Sequence, residues 1–232
     1  MKIKAWITAA VLALSSTGVL AATEGVDYVV LPKAMPQVQK DKVEVLEFFA
    51  YWCTHCRDME SVIGKHSKTF ASDTYFRREH VVWDPKNDLN FARLAAAVEL
   101  AGLGNQANPA IFDAVVRDRI NLSNSDTLKA WLNQQTQFDG KKVLAQFQSF
   151  NSQTGAKQMG ENTASYEIQS TPTVIVGGKY RVEFSKGFVA GMKTIDELVV
   201  KVRQERGMKA PVAKVSKPVR SKGARLVKQS IR

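Results

Sequence analysis

The sequence predicts an α/β protein whose sheet-forming segments are split by an inserted all-helical lobe, and three observations carry that prediction. An almost continuous apolar run (Val45, Leu46, Phe48, Phe49, Ala50) reads as a strand buried on both faces. Helical periodicity then dominates from about residue 90 to residue 167. Strand signals return at residues 173–184 around the turn Gly177-Gly178, and one more helix closes the pattern.

Taken in order, residues 28–31 and 43–50 read as strands. A helix follows from Cys53 to about Phe70, with Met59, Ile63, His66 and Phe70 at spacings of 4, 3 and 4. Residues 75–83 read as another strand, which makes a β-α-β unit with a crossover long enough for parallel pairing. In the lobe, residues 90–103, 110–120 and 125–135 predict helices, the third capped by Ser125 or Asp126. Residues 141–150 and 152–167 continue the helical signal. Phe91, Phe112, Trp131 and Phe147 read as packing within the lobe, and Trp52 and Trp83 as core, with screening of the cysteine motif as the alternative for Trp52. Residues 173–176 and 180–184 form a hairpin through Gly177-Gly178-Lys179. The last helix starts at Thr194, with Glu197 in the capping-box position and an apolar face of Ile195, Leu198, Val199 and Val202.

Composition narrows the class. Of 232 residues, 44% are hydrophobic, which excludes a wholly disordered chain. Two cysteines exclude a disulfide-stapled mini-protein and a four-cysteine zinc site. The 33 Lys+Arg against 22 Asp+Glu give a net charge of +11, which suggests a polyanionic partner until its distribution is read. Lys2 and Lys4, an apolar stretch of about ten residues and Ala21-Ala22 have the layout of a cleavable secretory signal peptide over 1–21, so the mature chain is expected to be exported to an oxidising compartment. Residues 207–232 hold eight basic residues and no acid, interspersed with Pro211, Pro218 and Gly223, the composition of a disordered tail. Residues 23–206 are left with 23 basic and 22 acidic residues, so the folded body is almost neutral.

Both cysteines lie in one C-x-x-C, Cys53-Thr54-His55-Cys56, where the buried strand hands over to a helix. At the first helical position Cys53 would sit by unpaired backbone N–H groups and the positive end of the helix dipole, which favour its thiolate. His55 adds an imidazole beside the same turn. A zinc half-site would need two more ligands, and His55, His66 and His80 show no clustered spacing. A purely structural disulfide over four residues would remove little chain entropy. Thiol–disulfide exchange is the reading that uses every part of the motif.

The segment Glu47-Phe48-Phe49-Ala50-Tyr51-Trp52-Cys53-Thr54-His55-Cys56 resembles the active-site segment of the DsbA family, thioredoxin-fold oxidases of exported bacterial proteins. Thr171-Pro172-Thr173, leading into Val174-Ile175-Val176-Gly177-Gly178-Lys179-Tyr180, is similar to that family's cis-proline loop and following hairpin. The 115 residues between Cys56 and Pro172 also suit the family's plan. The resemblance covers about residues 24–206. It implies a thioredoxin-like domain made of 22–85 and 168–206, an inserted helical domain at 86–167, and a tail outside both.

By that resemblance Cys53 is the attacking cysteine, Cys56 resolves the mixed disulfide, and a cis Pro172 faces the Cys53 sulfur. Thr171 and Thr54 would contact the bound peptide. Glu47, six positions before Cys53 in an otherwise apolar strand, is expected either as a proton carrier for Cys56 or as a carboxylate at a sheet edge. Arg78 is its candidate charge partner, and His66 and His80 read as satisfied core histidines. The resemblance implies no cofactor beyond the Cys53–Cys56 disulfide, reduced exported proteins as substrates, and a DsbB-type quinone-linked membrane protein as reoxidant. No specific nucleic-acid partner is expected, and the tail is either solvated without a specific ligand or in contact with anionic envelope components. Thr54 and Thr171 stand where the family commonly has proline and valine, so isomerase or reductase is the alternative activity. A binding module tethered by its basic tail is the alternative from another class.

Overall fold

The computed structural model describes residues 22–209 and 211, so the expected leader and most of the expected basic tail lie outside the described residues. The strands form one five-stranded mixed sheet in the order β1-β5-β4-β2-β3. Its members are β1 (Tyr28–Val30), β2 (Val43–Phe49), β3 (Thr74–His80), β4 (Thr173–Val176) and β5 (Tyr180–Val182). As expected, β2 and β3 pair parallel and β4 and β5 form an antiparallel hairpin. The strand β2 lies inside the sheet, between β3 at the edge and β4 at the centre.

Alternate residues of β2 enter two different cores. Val43 and Val45 join Val174 and Val176, Met59 and Ile63 of α1 (Thr54–His66), and Ile195 and Leu198 of α7 (Phe188–Glu205). Leu46, Phe48 and Ile175 join the core that continues into the helical lobe through Phe91, Leu94, Ile111 and Phe112. Each face of β2 therefore has its own apolar cover, which is why its sequence shows a run and not an alternation.

The lobe holds α2 (Pro85–Leu100), α3 (Gly104–Phe112), α4 (Ser125–Asn133), α5 (Gly140–Phe147) and α6 (Phe150–Ser165). Several ends differ from the expected ones. α2 starts five residues early because Asp84 caps it, accepting from the Lys86 N–H at 3.0 Å, with Pro85 in the first turn. α3 starts six residues early, carries Pro109 inside, and passes into a π-helical turn at Asp113–Arg117. The cap of α4 is Asn124, one residue ahead of Ser125 and two ahead of Asp126; its Oδ1 accepts from the N–H groups of Asp126 and Thr127.

α7 departs most, because it begins at Phe188 and Thr194 lies buried within it. The Thr194 hydroxyl donates to the Ala190 carbonyl at 3.4 Å and caps nothing. Tertiary packing supplies the extra turn: Phe184 and Phe188 meet edge to face, and Gly191 lies so close to Phe184 that a Cβ there would fall 2.3 Å from its ring.

Candidate active site

The site begins where β2 ends. Its last turn is pinned from β3: His80 Nε2 accepts the Tyr51 N–H at 3.0 Å, and Nδ1 lies 2.6 Å from the Val81 carbonyl. With those partners Nδ1 carries the proton. Burial holds His80 down to about 4, so the ring is neutral and its acceptor stays available. His80 is thus the satisfied core histidine expected of it. The Tyr51 hydroxyl donates to Asn108 Oδ1 of α3 at 2.7 Å, which ties the same turn to the lobe.

Cys53 caps α1 and is not its first helical residue, as its φ of −84° and ψ of 115° show. Its Sγ accepts the Cys56 N–H at 3.1 Å, the bond an N-cap side chain makes to a backbone donor of the first turn. A cap position brings the sulfur nearer the free N–H groups than a helical position would. The Cys53 pKa falls to about 6, chiefly through a hydrogen bond from the Cys56 side chain and helped by Thr171, the Cys56 N–H and the His55 charge, against burial. Cys56 is wholly buried, and burial pushes its thiol far up. Both cysteines are free thiols here. Thr54 and His55, between them, are exposed.

The Thr171–Pro172 peptide is cis, and the Thr171 carbonyl lies 3.5 Å from Cys53 Sγ. The segment before β4 is thereby brought across the cysteine pair. Thr173, next along, is buried and donates its hydroxyl to the Ser170 carbonyl at 2.8 Å.

Glu47 is 1% exposed and sits opposite Val174 on one side and Arg78 on the other, in the interior of the sheet. The sheet-edge reading of Glu47 is therefore excluded. Arg78 Nε donates to Glu47 Oε2 at 3.1 Å, and its Nη2 donates to Glu60 Oε1 at 3.1 Å. Burial raises Glu47 to about 7 while Arg78 opposes the shift. Glu60, which the residue pattern did not single out, is also raised by burial, and its Oε2 has no hydrogen-bond partner among the described residues. Its signal was its place four residues after Cys56 on the buried stripe of α1.

Three aromatic or histidine readings change. His66 is half-buried and not in a core, with Nε2 2.9 Å from Asp196 Oδ1 and its ring edge to face with Phe70. Trp52 and Trp83 are 40% and 42% exposed and face each other at 5.6 Å, so they are not core residues. Both indole N–H groups are bonded inward, which frees them from water without burying the rings.

Comparisons place this geometry among known proteins. Residues 39–197 match the family described as thioredoxin. The chain is 30% identical over 197 residues to the thiol:disulfide interchange protein DsbA of Burkholderia cepacia, spanning 83% of this chain and 92% of that one. Reduced DsbA1 from Neisseria meningitidis is 52% identical, with a TM-score of 0.78 over 81% of this chain and 98% of that one. The oxidoreductase NmDsbA3 from the same organism is 51% identical, with a TM-score of 0.73 over 80% and 99%.

Proposed function

The chain belongs to the DsbA group of the thioredoxin family, the thiol:disulfide oxidoreductases, and from that membership we propose that it donates the Cys53–Cys56 disulfide to reduced exported proteins. The observation that carries the donor direction is the asymmetry of the pair: Cys53 is held down to about 6 and Cys56 is pushed up. A stabilised Cys53 thiolate favours the reduced enzyme, which makes the disulfide oxidising.

The steps follow from that asymmetry. A substrate thiolate attacks Cys53 Sγ, the Cys53–Cys56 bond breaks, and Cys56 leaves and takes up a proton. A second substrate thiolate then attacks the substrate sulfur of the mixed disulfide, and Cys53 departs as a thiolate. The substrate thiols lose two electrons, and the Cys53–Cys56 disulfide gains them and becomes the dithiol. Glu47, near 7 at neutral pH, has both protonation states available and exchanges the proton of Cys56. Thr171 and Pro172, with Thr54 on the exposed side, border the sulfur under attack and hold the peptide. His55 supports the Cys53 thiolate by its charge.

No cofactor is needed beyond the redox-active disulfide. The enzyme acts in the periplasm, where a DsbB-type quinone-linked membrane protein returns it to the disulfide form. The 207–232 tail, with eight basic residues and no acid, associates with anionic envelope components. Redox titration against glutathione, run beside oxidation of a reduced model peptide, tests the donor reading. An oxidising potential with rapid peptide oxidation is expected. A pair as reducing as thioredoxin assigns the enzyme to reduction or isomerisation.

A further inference from the structure

The Trp52–Trp83 pair has a construction that thiol–disulfide exchange alone does not require. Asp88, 5% exposed in the first turn of α2, accepts three N–H groups. Oδ1 takes the Trp52 indole at 3.1 Å, and Oδ2 takes the backbone N–H of Trp83 at 3.0 Å and of Asp84 at 2.9 Å. The Trp83 indole donates to the Ile168 carbonyl at 2.6 Å, three residues before Thr171. Trp52 itself precedes Cys53 in the chain. One aromatic pair is therefore tied to the two segments that meet at the Cys53 sulfur, and a buried carboxylate holds it from behind.

The chemistry it offers follows from where the donors point. Both indole N–H groups are spent inside the protein, so the exposed parts are ring faces and edges. Indole faces carry negative potential and attract cations and other rings. A carboxylate bonded to the Trp52 N–H pushes further electron density into that ring. We infer that Asp88 is a positioning residue for a Trp52–Trp83 platform beside Cys53, and that the platform selects substrate segments with a cationic or aromatic side chain next to the reacting cysteine over acidic ones. The inference rests on the reading that a substrate thiolate attacks Cys53.

Three reduced peptides, identical except for Arg, Tyr or Glu beside one cysteine, test it by their kcat/KM values. With wild type, the Arg and Tyr peptides should each exceed the Glu peptide by about threefold or more, mainly through KM. Asp88→Asn leaves one oxygen for the two backbone N–H groups and turns its amide NH2 toward the Trp52 indole. The Arg-over-Glu ratio should then shrink toward one, and Trp52→Ala should shrink both ratios. A merely structural role would lower all three peptides alike and leave the ratios standing. Trp52→Phe, which keeps a ring but no N–H, serves if the alanine variant does not fold, and should fall between wild type and Asp88→Asn. Equal values for the three peptides in wild type overturn the platform alone. Failure to oxidise any of them overturns the donor reading beneath it.

Discussion

Cys53 and Glu47 carry the chemistry, and each makes a prediction of its own. Thiolate absorbance of the reduced protein should titrate with a midpoint of about 6, and His55→Ala should raise that midpoint slightly, since the imidazole is the smallest of the stabilising influences. Glu47→Gln should slow peptide oxidation by about tenfold or more, as expected for loss of a positioned proton carrier, while leaving the Cys53 midpoint almost unmoved. Wild-type rates in that variant would remove the proton role. Burial raises Glu47 from 4.5 to about 7, so the folded protein binds a proton there that the unfolded chain has released. That contribution to stability is complete below pH 4.5 and is lost as pH rises through about 7. Thermal unfolding across this window should show wild type losing stability relative to Glu47→Gln; a constant difference would contradict the shift. The presence of an acid in this strand was visible in the residue order. Its two-carboxylate arrangement around Arg78 was not, because Glu60 looks like one more polar position on an amphipathic helix.

Helices and strands were legible wherever one face alone decides their burial. The strands β2 and β4 and the helix α1 follow directly from apolar spacing. Helix starts were harder, because several residues near each start can cap it and only backbone geometry selects one. Asn124 caps α4 although Ser125 and Asp126 follow it. Asn124→Ala should cost about 1 kcal/mol in denaturant unfolding, whereas Ser125→Ala should cost a few tenths at most. Equal costs would return the cap to Ser125. In α7 the capping-box pattern at Thr194 was overridden by Phe184, Phe188 and Gly191, which bury one another and extend the helix toward its N-terminus. Tertiary packing outweighs a cap worth only about 1 kcal/mol.

Across the whole molecule, the helical lobe and the sheet meet at the cysteine pair. Tyr51 bonds to Asn108, and Arg57 Nε lies 2.8 Å from Asp113 on the π-helical turn. The C-terminal end of α7 lies elsewhere: Arg206 donates to the Lys42 carbonyl at 2.8 Å, just before β2 begins, whereas Cys53 follows the far end of that strand. The last helix thus ends on the side of the folded body opposite the redox site. Removing residues 210–232 should leave oxidation of a soluble peptide unchanged and abolish retention on vesicles containing phosphatidylglycerol. Retention by the full chain should weaken as salt rises, because exposed charges are screened beyond about 10 Å at 0.1 M. Vesicle binding that survives the deletion would take the tail out of the account.

The nucleophile, its resolving partner, their place at a strand-to-helix transition and the apolar run that buries the strand before them are written within the twelve residues from Val45 to Cys56. Such features depend on neighbours along the chain, and periodicity reports them. The partners of those groups lie far away in sequence: Arg78 is 31 residues from Glu47, His80 is 29 from Tyr51, and Thr171 is 118 from Cys53. The parallel register of β2 and β3 sets Glu47 against Arg78, and a shift of one residue would turn those side chains to opposite faces. Trp52 and Trp83 show the same division. Their apolar rings suggested burial, but hydrogen bonds to Asp88 and Ile168 satisfied their N–H groups and left the rings at the surface. Hydrophobicity along the chain states which residues can be buried; long-range pairing determines which of them are.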